Sequence, residues 1–223
     1  MAAWIRPVEY DVAADRGIIM NKESSYEFGL EDNTGALQGA FSPCWRWWGT
    51  RLVPMHEWTH VAVGYDGASE VHFVNSEIVE SVSCGGGGDL TPSADPLRIG
   101  HRTAFVGAGL SHSNFVGDID EAMVYNKVLG EADLGKIYVA QYRSEAVADS
   151  VTMHHSHSLG VQASGASANK KVAKGASRKA LGKLDDLVGF WPLNGDAEDG
   201  SGNGHDGSMQ GSAELATGEY AIK

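Results

Sequence analysis

The run from Phe115 to Tyr138, FVGDIDEAMVYNKVLGEADLGKIY, constrains the fold most, because an alternating segment passes directly into a helical one. Successive side chains of a strand point to opposite faces. Phe115, Gly117, Ile119 and Glu121 therefore fall on one side, and Val116, Asp118, Asp120 and Ala122 on the other. This is the pattern of a half-buried strand with acids on one side. Beyond Tyr125, Leu129, Ala132, Leu134 and Ile137 recur at roughly helical spacing, which predicts a short helix after the strand.

Further strands precede it. AWIRP (3–7), RGIIMNK (16–22) and SYEFGLED (25–32) read as strands, the last with Tyr26, Phe28 and Leu30 alternating against polar neighbours. ALQGAFSPCWRWWGTRLV (36–53) reads as another β run kinked at Pro43, whose parity puts Trp45 and Trp47 on one face and Trp48 on the other. WTHVAVGYDG (58–67) and EVHFVNSEIVESV (70–82) follow as antiparallel partners. The second bends at Asn75-Ser76, where a tight turn asks for positive φ and serine fills a place better suited to glycine.

Composition narrows the function classes. A net charge of −12 argues against nucleic acid, whose phosphates need clustered Lys and Arg. No apolar run reaches the length of about 20 residues that a membrane helix needs, so no membrane span is expected. Met1-Ala2-Ala3-Trp4 shows no signal peptide. Cys44 and Cys84 are compatible with one disulfide or with two free thiols. Residues 143–186 are small, polar and aromatic-free, with six positive charges between Lys170 and Lys183, and read as a flexible linker.

Four segments in order, EWTHVAVGYDG (57–67), HFVNS (72–76), PLRIG (96–100) and Phe115 to Tyr138, resemble the laminin-G-like, concanavalin A-type family. The resemblance implies an all-β, two-sheet antiparallel jelly-roll sandwich with a short closing helix over residues 1–142. In that family a strand like AWIRP comes after two or three earlier strands, so the domain is expected to lack its first strands. LVGFWPLNGDAEDGSGNG (187–204) resembles the family's opening strand and Asp-Ser-Gly loop, so residues 187–223 either begin a second repeat or fold back to complete the first. The family is largely extracellular, which favours pairing of Cys44 with Cys84 and a secreted or cell-surface setting.

Two acidic groups suit a hard cation on a flexible loop: Asp118, Asp120 and Glu121 in the strand, and Asp196, Asp199, Ser201 and Asn203 near the C-terminus. The resemblance implies a structural Ca2+ shared between them; the alternative is turn formers and a solvated face. Asp199 to Gly204 echo half an EF-hand loop, but the twelfth position is Gln210 and strands flank it. Trp45, Trp47 and Trp48 are candidates for a glycan-binding surface, because a flat indole is a platform for a sugar ring; packing is the alternative. No catalytic residue is expected. The Asp-Ile-Asp-Glu strand departs from the Glu-x-Asp-x-x-Glu of related glucanases, and no Gly-x-Ser-x-Gly elbow is present. The expected function is a non-catalytic binding or adhesion module of a multidomain protein. Its partners would be a glycan or an extracellular protein, alongside neighbouring repeats. A glycoside hydrolase or lyase and a ligand-free spacer repeat are the alternatives.

Overall fold

The structure, a computed structural model, describes residues 1–10, 16–102, 113–141, 186–211 and 213–215. Its strands are β1 (Ala2–Pro7), β2 (Arg16–Lys22), β3 (Tyr26–Glu31), β4 (Leu37–Phe41), β5 (Thr59–Tyr65), β6 (Ser69–Val74), β7 (Glu77–Ser83), β8 (Leu97–Ile99), β9 (His101–Arg102), β10 (Ser113–Asn114), β11 (Gly117–Tyr125) and β12 (Leu187–Trp191). Residues 131–141 form one helix, α1. A six-stranded sheet in the order β12-β11-β1-β5-β6-β7 faces a four-stranded sheet in the order β4-β3-β2-β8, and β9 pairs with β10. This is the expected antiparallel sandwich with its closing helix.

Alternation in the central strands builds two cores from one sheet. Ala3 and Ile5 of β1, Val61 and Val63 of β5, and Ala122 and Val124 of β11 meet Met20, Phe28, Leu30, Leu37 and Phe41 of the four-stranded sheet. The intervening residues Ala2, Ala62, Phe73 and Met123 pack on Leu129, Leu134 and Ile137, so α1 covers the outer face of the larger sheet. Leu134, Ile137 and Gln141 are its buried stripe, at the spacing an amphipathic helix needs. Trp4 ties these layers together. It stacks on Tyr138 with ring centroids 5.3 Å apart, and its Nε1 donates to Gln141 Oε1 at 2.9 Å.

Three local features differ from strict periodicity. The register between β1 and β11 shifts between Ala2 and Trp4, and opposite this shift Glu121 has φ 50°. The bulge turns Glu121 off the face shared with Ile119 and aims its carboxylate at Gln141 Nε2, 3.2 Å away. Ala122 consequently enters the sandwich core instead of joining Asp118 and Asp120. At the β6–β7 hairpin, Asn75 and Ser76 both take positive φ, 50° and 69°, so the tight turn forms with serine in place. The predicted β run 36–53 ends at Phe41. Beyond it only single bridges, Gly39 to Trp48 and Ala36 to Leu52, keep the chain beside β4. Proline cannot donate to a ladder, and Cys44 draws the segment toward the end of β7 through its bond to Cys84.

β12 comes from the C-terminal stretch and lies antiparallel beside β11 of the same chain, pairing Trp191 with Ala122, Phe190 with Met123 and Gly189 with Val124. Trp191 enters the sandwich core and Phe190 the core under α1. Of the predicted linker 143–186 only Asp186 is described, next to Lys127 in an ion pair; residues 216–223 also lie outside the described residues.

Candidate functional site

Residues 42–52 form a stapled loop along the open edge of β4. The Cys44–Cys84 disulfide closes it at one end, and the Ser42 and Thr91 hydroxyls meet at 2.5 Å beside it. At the other end Leu37 N donates to Arg51 O at 2.9 Å and Val53 N to Gly35 O at 3.0 Å. In the middle the Glu80 carboxylate of β7 takes Trp48 Nε1 at 2.8 Å and Thr50 N at 2.9 Å. Trp45 remains 38% and Trp48 46% exposed despite this fixation. Trp47 lies under Arg16, whose guanidinium carbon is 4.3 Å from the ring centroid. Arg16 also donates to Gln38 on β4, placing Trp47 toward the outer face of the smaller sheet.

The loop rests on a buried polar cluster that sequence reasoning missed. His72 is fully buried, with Nε2 2.5 Å from Glu70 Oε1 and Nδ1 3.9 Å from Glu80 Oε2. Burial pushes the Glu70 carboxyl up, against the pull of His72. Gly39 makes room for it, since a Cβ there would sit 2.3 Å from Glu70 Oε1. Period two in β6 places Glu70 and His72 with Val74, facing inward, and that parity was the available clue.

A second missed cluster lies across β2 and β3. Asn21 Nδ2 donates to Glu27 Oε2 at 2.7 Å and to Glu23 Oε2 at 3.4 Å, while Arg102 bridges the same two carboxylates. Glu27 is completely buried, so its carboxylate is not open to a substrate as folded. Burial pushes its carboxyl up to about 7, against the opposing pull of Arg102 and Asn21. The folded chain thus holds this proton more tightly than an unfolded chain. The resulting stability is present below pH about 4.5 and is lost as pH rises through about 7. His60 acts in the opposite sense. Burial lowers it to about 4, so stability falls as pH drops from about 6.5 to 4. In thermal melts between pH 4 and 8, Glu27→Gln is expected to flatten the neutral-side decline, on the order of 3 kcal/mol, and to leave the acid-side fall. A variant with the parental pH profile would refute this assignment.

The predicted metal-binding residues are engaged elsewhere. Asp118 pairs with Arg6 at 2.7 Å, and Asp120 Oδ1 accepts the Glu121 amide at 2.8 Å. Asp199 Oδ1 takes the amides of Phe190 and Ser201, and Oδ2 takes Ser201 Oγ and the His205 amide, all at 2.8–3.0 Å. Burial opposes its ionisation, but the hydrogen bonds from His205, Phe190 and Ser201 hold the carboxyl below its ordinary value. Asp196 Oδ1 accepts the Glu198 amide, and Asn203 Nδ2 donates to Leu187 O and Val188 O, both at 2.9 Å. The Asp-Ser-Gly-Asn loop therefore satisfies the outer edge of β12, which is otherwise an open template for another strand. Among the described residues no three His, Cys, Asp or Glu side chains form a group that could hold a metal ion.

With two antiparallel sheets, a covering helix and the motif strands β5, β6 and β11 in place, residues 1–135 match a laminin G family described as Concanavalin A-like lectin/glucanases superfamily. The chain belongs to this family. No curated protein matches it. Solved structures similar to this laminin G-type domain include a Bacteroides ovatus protein with a proposed carbohydrate-binding role. It is 21% identical at TM-score 0.49, over 60% of this chain and 38% of that one. A heptameric SAP-like pentraxin from Limulus polyphemus is 13% identical at TM-score 0.47, over 61% and 67%. Domain 4 of AbnA, a GH43 extracellular arabinanase from Geobacillus stearothermophilus, in complex with arabinotriose, is 19% identical at TM-score 0.43, over 60% and 63%. The laminin G-type domain thus spans well under half of the first of these and about two thirds of the others. No helix among its described residues is long and apolar enough to cross a membrane.

Proposed function

We propose that the protein is a non-catalytic binding module that holds a glycan on the stapled loop 42–52. The observation that carries this is the exposure of Trp45 and Trp48 on a segment already fixed by the Cys44–Cys84 disulfide and by Glu80. A large apolar ring normally buries itself. A ring kept in water on a rigid support is preorganised for a ligand, and little ordering entropy is lost when one binds. The C–H face of a pyranose complements a flat indole. A disulfide persists in oxidising surroundings, which supports a secreted or cell-surface setting. Glu27 of the Glu23–Glu27 pair is buried away from substrate, which favours binding over hydrolysis.

Tryptophan fluorescence and calorimetry against a panel of neutral and charged polysaccharides test the proposal. Trp45→Ala is expected to weaken binding at least tenfold, about 1.4 kcal/mol, with an unchanged melting temperature. Chelator should leave the affinity unaltered, because the acidic side chains around β11 and β12 are spent on protein donors. No binding across the panel, or equal binding by Trp45→Ala, would remove the loop as the site. Binding abolished by chelator would instead restore a calcium role for the Asp196 to Asn203 loop or for Asp118 and Asp120.

A further inference from the structure

We infer that the tryptophan loop selects anionic glycans, sugars carrying a carboxylate or a sulfate, with Arg46 and Arg51 reading the charge. The inference rests on the glycan-binding role proposed for this loop. The chain carries 29 acidic residues, yet none lies between Asp32 and Glu57, the stretch that holds Trp45, Trp47, Trp48, Arg46 and Arg51. Two arginines and three indoles thus share a stretch where the acidic background is interrupted.

The state of the arginines strengthens the point. Arg6 is paired with Asp118, Arg102 with Glu23 and Glu27, and Arg16 is held by Trp47 and Gln38. Arg46 and Arg51 are exposed, and neither side chain takes part in an ion pair or hydrogen bond among the described residues. Glu80, which reaches into the same loop, is spent on Trp48 Nε1 and Thr50 N. The disulfide also joins the loop to the segment that bears the exposed Asp89. The net charge of −12 does not cancel the two arginines at a distance, because interactions are screened beyond about 8 Å at physiological ionic strength. A guanidinium presents a planar fork that fits a carboxylate or a sulfate with two parallel hydrogen bonds. Arg46 follows the exposed Trp45 in the chain and Arg51 comes three residues after the exposed Trp48, so both cations belong to the same stapled loop as the exposed rings.

The test uses the full chain and three galactose-based polymers: polygalacturonate for the carboxylate, carrageenan for the sulfate, and a neutral galactan. Calorimetry at 50 and 300 mM NaCl would compare the parent with Trp45→Ala and with Arg46→Gln/Arg51→Gln. At least one anionic polymer is expected to bind tenfold or more tighter than the neutral one at low salt, and to weaken with salt. Which polymer responds identifies the anion. The double arginine variant should lose that advantage while keeping the parental melting temperature and its affinity for neutral galactan. If the neutral polymer binds as well as both anionic ones, or if the arginine variant binds like the parent while Trp45→Ala fails, the selectivity is overturned and the glycan-binding role stands. If no polymer binds in a Trp45-dependent way, both fall.

Discussion

A chain ending at residue 185 is expected to lose most of its stability, with a melting temperature lower by on the order of 20 °C or more, or no cooperative transition at all. Phe190 is 1% and Trp191 7% exposed, and each sits in a different core of the six-stranded sheet. Removing a buried phenylalanine or tryptophan costs roughly 3–5 kcal/mol. The two together approach the whole stability of an ordinary domain, about 5–15 kcal/mol. Each kcal/mol moves the melting temperature by about 2–4 °C for a chain of this size. The cut also strips β12 from β11 and leaves its backbone groups open to another chain, so aggregation should accompany the loss. Phe190→Ala/Trp191→Ala in the full chain separates packing from edge exposure, because the strand and the Asp199–Asn203 cap stay. It should destabilise strongly with less aggregation. A truncated chain that melts with the parent would show that β12 contributes nothing.

That expectation also marks where the sequence was legible. The strands β3, β5, β6 and β11 and helix α1 follow from period two and period 3.6, because each has one apolar face and one neighbour that the pattern anticipates. The partner of β12 does not follow. GFWPL can pair with any free edge of matching register, and only the opposing faces of Met123 and Ala122 decide that Phe190 and Trp191 fit here. The Asp199 loop was open to two readings for a related reason. The oxygens that would surround calcium are the same oxygens that accept amides, and the difference lies in what the fold brings near them. Glu121 escaped strict alternation because a bulge is invisible to a parity count. The exposed tryptophans were legible as candidates. Their fixation was not, since Glu80 lies 32 residues from Trp48. The inward-facing Glu70 and His72 were readable from β6, but nothing in the string says that they underlie the tryptophan loop.

Replacing the cystine by Cys44→Ala/Cys84→Ala is expected to lower stability and binding together, and their coupling is the informative part. The bond joins residues 40 apart, and closing a loop of that length restrains the unfolded chain by about 4 kcal/mol. A fall in melting temperature of roughly 8–16 °C should follow. Binding should weaken as well, because the loop would lose its covalent tie and keep only non-covalent ones, among them Glu80, the Arg16–Trp47 contact, the Gly39–Trp48 bridge, the backbone bonds to Leu37 and Val53, and the Ser42–Thr91 contact. Fixing even two freed residues on binding costs about 2–4 kcal/mol, enough for a tenfold loss or more in affinity. Reductant should shift the parent to the position of the double variant in both measurements and should not move the variant further. Tyr65 remains the control for local collapse, since its hydroxyl donates to Gly88 O and accepts from Gly88 N, holding the 84–95 loop without the disulfide. A variant that loses stability but keeps full affinity would place the sugar away from the stapled segment. One that loses affinity while melting nearly with the parent would mean that the bond serves the binding surface and barely the fold.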